Sequence, residues 1–393
     1  MKKWLSEGNR KKRAINLLRA CLAAGFAALT FALAACTNSA TSGSYTTVDY
    51  LYAADFGGNA VSAYSVNLST GALTPISSCG PSCTKFTGFS SDEPDAEAAF
   101  PSSTNQGFLY VTVYNARNFG LEVLPLASSG IPDNPIPDTT GSGADGVAID
   151  PSGTYVYVAN WNSSSLSVLS AASGGSIACS ACSGSGLSAP TGIAIDPEGD
   201  YLYVANSGGN TVSEFKIESG GALSFLGTIA TGEYPTGIAI SSGGKYLYVA
   251  NNYPGGTGNS ISEFSINRST GLLSSVGSIP AGPKPMGIAI DPLNDVLYAA
   301  NSGSSGSGGI SAFSIDSSTG ALTSLGSFTT GDEPKEIAFS STGQYLYVTN
   351  YGSNSISEFS VDSNGTLSAV GTAAAGSEPL GITTVDVTQA ASY

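Results

Sequence analysis

A phrase of seventeen residues returns several times along the chain. It reads PTGIAIDPEGDYLYVAN at 190–206, PTGIAISSGGKYLYVAN at 235–251 and PMGIAIDPLNDVLYAAN at 285–301. Aligned on the tyrosine after the central turn, looser copies bring the total to seven, at intervals of 58, 47, 46, 45, 50 and 49 residues: Tyr52, Tyr110, Tyr157, Tyr203, Tyr248, Tyr298 and Tyr347. Such a period predicts a repeat architecture in which each copy is one supersecondary unit.

Each copy reads as four short strands. GIAID and YLYVAN are β-branched and aromatic runs around a tight DPEG turn, TVSEFKI alternates apolar and polar residues, and an STGAL-type turn leads to a last strand. No stretch carries a helical period through two or three turns. Four antiparallel strands in each of seven copies predict an all-β fold, a seven-bladed β-propeller, with a solenoid of stacked sheets as the alternative.

The two ends of the repeat region each carry part of one blade. The first copy has no PxGIA phrase ahead of YLYAAD, whereas a first strand without a following copy, PLGITTVDV, lies at 379–387. A ring joins its ends in this way, and a linear solenoid does not need to. We therefore expect a propeller over residues 48–389, closed by pairing of the C-terminal strand with the first blade.

Residues 1–35 are organised like a secretory signal peptide. The basic stretch MKKWLSEGNRKKR precedes the apolar run ACLAAGFAALTFALAAC, which is short for a membrane span. The end of this run, LAAC at 33–36, resembles the lipobox of bacterial lipoproteins, which implies lipidation of Cys36; an ordinary cleavage site beside Cys36 is the alternative. We expect an exported, membrane-anchored lipoprotein facing the periplasm or cell exterior, with residues 36–47 as a flexible tether.

Four further cysteines follow the leader. They form the motifs CGPSC, with Cys79 and Cys83, and CSAC, with Cys179 and Cys182. An even number of cysteines in an exported chain predicts two local disulfides, with a metal or redox role as the alternatives.

Without residues 1–35 the chain keeps 7 basic and 28 acidic side chains, a formal charge of −21. Such a surface repels phosphate groups and anionic lipid headgroups, so we expect no nucleic-acid partner. Membrane contact is expected through the lipid instead of a basic patch. We expect a monomer.

The repeat phrases carry a family resemblance. YVTN at 347–350, its YVAN variants, the STGALT turns at 69–74 and 318–323 and the GxxPxGIAI joints resemble the YVTN-repeat propellers and the seven-bladed lactonase family, over residues 45–389. The resemblance implies a 6-phosphogluconolactonase-like hydrolase whose channel holds histidine, arginine and acidic residues. This chain has no histidine, so that catalytic cluster cannot be carried over, and histidine-based nucleophilic sites and histidine-ligated metals are excluded.

The residue after the proline that joins two blades is predicted to face the channel mouth. Those we consider are Asp95, Asp145, Thr191, Thr236, Met286, Lys335 and Leu380. Glycine follows in five copies, but Ala96 and Glu336 replace it in two. The candidate catalytic carboxylates are Glu336, Asp145 and Glu97, and the candidate substrate-binding residues are Lys335, Arg117, Asp95, Thr191 and Thr236. A solvated Lys335–Glu336 pair at the rim is the structural alternative.

Two functions are compatible with these features. The first is a binding or scaffold module that presents a cell-envelope protein or glycan with the face carrying the inserts at 77–100, 128–146, 251–260 and 301–309. The second is hydrolysis of a small lactone, with a carboxylate as base and Lys335 or Arg117 polarising the carbonyl oxygen. No cofactor is predicted. A Ca²⁺ site of carboxylate and asparagine oxygens is a further hypothesis, although the asparagine after each second strand is expected to close a turn.

Overall fold

In the computed structural model the chain divides into two units, residues 46–389 and residues 1–45 with 390–393. No helix within the described residues is long and apolar enough to cross a membrane; the helix found there is a single 3₁₀ turn, Phe56–Gly58. The structure describes residues 45–76, 85–86, 93–100, 107–114, 120–127, 129, 136–138, 140–171, 177–183, 186–252, 259–303 and 308–390.

The described strands form seven sheets, which are the blades of the ring. Two of them contain the first strands of the chain. Blade 1 contains β1 (Tyr45–Asp55), β2 (Ala60–Val66), β3 (Leu73–Pro75), β4 (Lys85–Phe86) and the C-terminal β29 (Pro379–Ala390), and blade 2 contains β5 (Glu93–Phe100), β6 (Gly107–Tyr114), β7 (Leu121–Leu126) and β8 (Ile136–Asp138).

Blades 3 to 7 follow the repeat with four antiparallel strands each. Their bounds are, for blade 3, β9 (Ala144–Ile149), β10 (Tyr155–Asn160), β11 (Ser165–Ala171) and β12 (Ile177–Ser183); for blade 4, β13 (Pro190–Ile195), β14 (Tyr201–Asn206), β15 (Thr211–Ile217) and β16 (Leu223–Ala230); for blade 5, β17 (Pro235–Ile240), β18 (Tyr246–Asn251), β19 (Ser260–Ile266) and β20 (Leu273–Pro280); for blade 6, β21 (Pro285–Ile290), β22 (Val296–Asn301), β23 (Gly309–Ile315) and β24 (Leu322–Phe328); and for blade 7, β25 (Pro334–Phe339), β26 (Tyr345–Asn350), β27 (Ser355–Val361) and β28 (Leu367–Ala374).

Blade 1 closes the ring. Its strand order is β29-β1-β2-β3, with β4 also paired to β2, so the last strand of the chain lies beside the first. From blade 2 to blade 7 the first strands lie side by side around the axis. This confirms the predicted all-β, seven-bladed propeller of four-stranded antiparallel blades closed by its C-terminal strand.

Burial within a blade follows the sequence pattern. The second strand Tyr201–Asn206 is buried along its whole length, the third strand Thr211–Ile217 is buried at its centre, and the fourth strand Leu223–Ala230 is largely exposed. A blade has a neighbour against each face, which is why YLYVAN is almost continuously apolar and does not alternate.

A separate hydrophobic core fills each space between adjacent blades, giving seven cores among the described residues. The core between blades 4 and 5 joins Tyr203 to Val249, and that between blades 7 and 1 joins Tyr347 to Leu51. The other five join the remaining neighbours in the same way. Seven blades need seven such cores only when the ring is closed.

The central tyrosine of the repeat ties one blade to the next. Its hydroxyl donates to the carbonyl of a glycine in the following blade, as in Tyr203 to Gly271 (2.8 Å). These glycines have φ between 74° and 78°, and a Cβ at Gly271 would overlap the ring of Tyr201. The second-strand tyrosine and the glycine of the turn before the fourth strand therefore form one contact between blades. It is made by Tyr157–Gly221, Tyr203–Gly271, Tyr248–Gly320, Tyr298–Gly365 and Tyr347–Gly71.

The asparagine that ends the second strand connects strands within its blade. Asn350 Nδ2 donates to Ser355 Oγ (3.1 Å) and Ser357 Oγ (2.9 Å) on the third strand, and Ser357 Oγ accepts the Gly331 N–H (3.3 Å) of the blade joint. Asn160, Asn206, Asn251 and Asn301 also donate to hydroxyls of their third strands. The side chain closes the turn between these strands, as the sequence predicted.

Two carboxyl groups meet at the seam that closes the ring. Asp49 on β1 is fully buried, and its Oδ2 accepts the Ser341 N–H at 2.9 Å. Burial, followed by the contact with Asp386 on β29, raises the pKa of Asp49 to about 7. A protonated Asp49 is therefore the form that suits the closed seam.

We expect Tyr203→Phe to lower the free energy of unfolding by roughly 1–3 kcal/mol, because the Gly271 carbonyl would lose its buried donor. Tyr201→Phe is the matched control, since the Tyr201 hydroxyl has no hydrogen-bond partner among the described residues. Urea unfolding followed by circular dichroism measures both variants. Equal losses in the two would contradict the assigned contact.

We expect Asp49→Asn to flatten the dependence of stability on pH. The pKa of Asp49 is higher in the fold than its ordinary value of 3.8. The stabilising contribution of protonated Asp49 to the free energy of unfolding is therefore fully present below about pH 4 and is lost as pH rises through about 7. Thermal unfolding from pH 5 to 9 should show a midpoint that falls more steeply in the wild type than in the variant. Parallel curves would show that Asp49 does not titrate in this range.

Candidate active site

The first strands of the blades surround a cavity of about 420 Å³ at one end of the channel. Six of the predicted channel-facing residues line it, and they come from six different blades. They are Asp145, Thr191, Thr236, Met286, Lys335 and Leu380. The rule that the residue after the blade joint faces the channel mouth is thus seen in every blade whose first-strand side chains the structure describes.

A bulge interrupts the first strand in blades 2 to 7, and in blades 3, 4, 5 and 7 two consecutive residues at the bulge line this cavity. In blade 7 the pairing register shifts between Pro334 and Ile337, and both Lys335 and Glu336 line the cavity. Adjacent residues of a regular strand point to opposite faces, whereas a bulge re-aims one of them. The bulge is what lets a lysine and a glutamate from consecutive positions reach one cavity.

Glycine normally follows the channel-facing residue because the next blade comes too close for a side chain. A Cβ at Gly146, Gly192 or Gly237 would overlap the carbonyl oxygen of the channel-facing residue in the next blade. Glycine there is a requirement of the joint between blades, which explains its presence in five of the seven copies.

Blades 2 and 7 break this rule, and each carries a second change that accompanies it. In the five blades with glycine, the second residue after the repeat tyrosine is alanine. Thr112 and Thr349 occupy this position in blades 2 and 7. Thr349 Oγ1 accepts the Glu336 N–H (3.1 Å) and donates to the Leu380 carbonyl (2.7 Å) of blade 1. Thr112 Oγ1 likewise donates to the Asp145 carbonyl (2.6 Å) of blade 3. A threonine hydroxyl thus bridges the joint where glycine is missing.

Lys335 is held between two neighbouring blades. Its Nζ donates to Ser302 Oγ at 2.8 Å, lies 3.8 Å from the Glu333 carboxylate and stands 4.8 Å from the centre of the Tyr351 ring. The side chain is 17% exposed. Burial lowers the pKa of Lys335; Glu333 opposes this shift and Lys284 adds to it. A poorly solvated ammonium group interacts with an oxygen more strongly than an exposed one.

Glu336 lies at the transition from this cavity to a deeper one of about 170 Å³, and lines both. Its Oε2 accepts the Ile337 N–H at 3.2 Å. The carboxylate faces Gly287 of blade 6, where a Cβ would overlap Oε2. The glycine of blade 6 therefore provides the space that the glutamate of blade 7 occupies.

The threonines predicted to bind substrate have hydroxyls that are already used between blades. Thr191 Oγ1 lies 3.1 Å from the Pro235 carbonyl, and Thr236 Oγ1 lies 3.2 Å from the Pro285 carbonyl. Both residues are nearly buried. Their contact with a substrate stays a prediction, and the bonds seen here stabilise the ring.

Three aromatic residues at the cavity rim were not predicted. Phe56 and Trp161 each follow the asparagine or aspartate that ends a second strand. Tyr234 precedes the proline of a blade joint and itself has a φ of 54°. The backbone N–H of the residue after the second strand donates to the backbone carbonyl of the residue before the blade joint, as in Phe56 to Glu378 (3.1 Å). These two positions vary strongly between otherwise constant neighbours, which is the signal that could have identified them.

A second cavity of about 330 Å³ adjoins the first and shares Tyr234, Met286 and Lys335 with it. Lys284 and Ser302 line its other side. Lys335 thus stands where the two cavities meet.

Several predicted site residues cannot be placed by their side chains. Arg117, Cys36, Cys79 and Cys83 lie outside the described residues, as do the side chains of Asp95, Glu97, Cys179 and Cys182. Among the residues that the structure does describe, no group of three or more His, Cys, Asp or Glu side chains could hold a metal ion.

Comparison with known structures supports the fold. A candidate 6-phosphogluconolactonase from Bacteroides uniformis superimposes with a TM-score of 0.72 at 20% identity, covering 86% of this chain and 99% of the other. The periplasmic gluconolactonase of Pseudomonas aeruginosa gives 0.70 at 18% identity, covering 87% and 100%. A protein from Lactobacillus plantarum gives 0.72 at 17% identity, covering 86% and 100%. At these identities the likeness concerns the fold alone.

The sequence itself provides the family. No curated protein sequence matches this chain. The family model described as Lactonase, 7-bladed beta-propeller, however, matches residues 176–255 and 252–382, which together are more than half of the chain. This protein is therefore a member of the seven-bladed β-propeller lactonase family.

Proposed function

We propose that the protein hydrolyses a lactone in the cavity at the channel mouth. The observation that carries this proposal is the Lys335–Glu336 pair. It combines a cation and a carboxylate at positions where blades 1, 4, 5 and 6 carry an uncharged residue followed by glycine, and blades 2 and 3 carry an aspartate followed by alanine or glycine. Both residues line the cavity, and the pair is accommodated by Thr349 and Gly287. Membership of the lactonase family supports the reaction class, and the gluconolactonase among the similar structures is in keeping with it.

The proposed reaction uses a carboxylate and an ammonium group in place of histidine. Glu336 accepts a proton from water as the hydroxide attacks the lactone carbonyl carbon. The electron pair of the C=O bond moves to the oxygen, where Lys335 stabilises the negative charge. When the intermediate collapses, the ring C–O bond breaks and Glu336 returns its proton to the leaving alkoxide. The product is a hydroxy acid, which loses a proton to solvent at neutral pH. Asp145 lines the same cavity and serves to orient the water or the lactone.

The binding-module hypothesis has less support. It assigns the function to the inserts, of which the structure describes residues 85–86, 93–100, 129, 136–138, 140–146, 251–252, 259–260, 301–303 and 308–309. A partner protein or glycan and the monomeric state stay predictions. The cavity chemistry favours the hydrolase.

We also propose that the chain is exported and anchored by a lipid on Cys36. Residues 1–36 support this proposal through their basic, apolar and LAAC segments. In a bacterial host fed labelled palmitate, the wild type should incorporate label and Cys36→Ser should not. Equal labelling of both chains, or of neither, would contradict lipidation at this residue.

We expect Glu336→Gln to lower kcat/KM for the accepted lactone by roughly 10²- to 10⁴-fold, because the variant cannot take a proton from water. Lys335→Met should lower it by roughly 10²- to 10³-fold through loss of the charge that stabilises the oxyanion. Proton release from a panel of sugar-acid and simple lactones, corrected for spontaneous hydrolysis, measures both effects.

The matched control is Glu218→Gln, which makes the same chemical change at an exposed glutamate paired with Lys216 outside the cavity. Its activity should equal that of the wild type. Activity that survives in both Glu336→Gln and Lys335→Met would place the reaction elsewhere.

A further inference from the structure

The charged pair of blade 7 has apolar surroundings. Met286 of blade 6 and Leu380 of blade 1 flank Lys335 on both sides in the ring of channel-facing residues. Across the cavity lies Trp161 of blade 3, and Phe56 and Tyr234 also reach the rim. Phe56 belongs to blade 1, beside blade 7, and Asp145 of blade 3 is a further charged residue of the lining. The cavity therefore has a charged pair at blade 7 and aromatic residues spaced around its rim.

The neutral polar groups of this lining are largely engaged within the protein. The Thr191 and Thr236 hydroxyls lie against backbone carbonyls, and the Trp161 indole N–H donates to Ser207 Oγ at 3.1 Å. Each hydroxyl of a sugar lactone needs a partner when it is buried, because an unpaired polar group costs about 1–3 kcal/mol. In the described part of the lining, the ionisable side chains of Asp145, Lys335 and Glu336 and the Tyr234 hydroxyl offer such partners, and three of these four belong to the proposed chemistry.

An alkyl or aryl substituent fits the remaining surface. Aromatic and thioether side chains bind apolar groups by burial and dispersion without needing polar partners. A cavity of about 420 Å³ is within the size range of sites for small organic ligands, so a six-membered ring with a chain of several carbons is of suitable size.

We propose that the substrate is a lactone carrying an apolar substituent. Its ester group lies at Lys335 and Glu336, and its substituent extends toward Trp161 and Tyr234. This inference rests on the proposed hydrolase activity, and it names the substrate class. The bond that breaks is the ring C–O bond described above, and the product is a hydroxy acid whose carboxylate forms beside Lys335.

Trp161 makes the site directly observable. The chain has two tryptophans, Trp4 and Trp161, so in the full-length Trp4→Phe protein all tryptophan emission comes from the cavity rim. The probes are lactam analogues of δ-lactones, with ring substituents from hydrogen to pentyl, which resist hydrolysis. We expect saturable changes in emission and a Kd that falls roughly two- to fourfold for each added methylene.

Tyr234→Ala should reduce this dependence on chain length while binding of the unsubstituted lactam changes little. The control is Leu325→Ala, which truncates a side chain about as exposed as Tyr234 on the outer strand Leu322–Phe328, outside the cavity. It should bind the lactams as the parent protein does. Calorimetry repeats the titrations without relying on fluorescence. A Kd independent of chain length, or no saturable binding by either method, would overturn the inference.

Hydrolysis of δ-decalactone and glucono-δ-lactone separates this inference from the proposed function. We expect kcat/KM to be at least tenfold higher for δ-decalactone. This is below the upper limit that burial of all five carbons of its pentyl chain would set. Preference for glucono-δ-lactone with loss of turnover in Glu336→Gln would overturn the substrate class and keep the hydrolase. Chain-dependent lactam binding without turnover of any lactone would keep the apolar ligand class and overturn the hydrolase.

Discussion

From blade 3 round to blade 1, each blade is held to the next by a buried hydrogen bond from a tyrosine hydroxyl to the carbonyl of a glycine with positive φ. This contact joins the second strand of one blade to the outer turn of the following one, so it fixes how neighbouring blades are placed. Tyr347 and Gly71, 276 residues apart, make the same bond across the seam. A ring defined by such equal contacts holds its innermost strands close together, and that closeness decides which residues can face the channel.

Because the first strands of neighbouring blades approach closely at the channel, a large side chain at the glycine position stands out from the repeat. Glycine is required where a neighbouring carbonyl leaves no room for Cβ, so Glu336 can stand in blade 7 only with adjustments. Thr349 bridges the joint to blade 1, and Gly287 of blade 6 leaves space for the carboxylate. The same accompanying threonine in blade 2, Thr112, indicates that the adjustment is a general solution. Two coordinated departures from the repeat, Glu336 and Thr349, concern one charged pair, which is why we assign the chemistry to it.

The fold could be predicted almost completely from the sequence, because the repeat encodes its own contacts: the strand pattern, the number of copies and the half-blades at the two ends. The channel-facing position was also predictable. The aromatic rim was not, since Trp161 and Tyr234 come from variable positions on either side of the constant phrases, and only the structure shows that both lie at one cavity. Nor could the sequence show that Thr191 and Thr236 use their hydroxyls between blades.

The most direct test of this account converts blade 7 to the pattern of blade 4 by Lys335→Thr, Glu336→Gly and Thr349→Ala. We expect the triple variant to be at least as stable as the wild type in thermal unfolding and to hydrolyse no lactone above background. Turnover that persists in the folded variant would contradict the assignment of the chemistry to blade 7. A variant that fails to form the ring would show instead that these three residues are there for the structure.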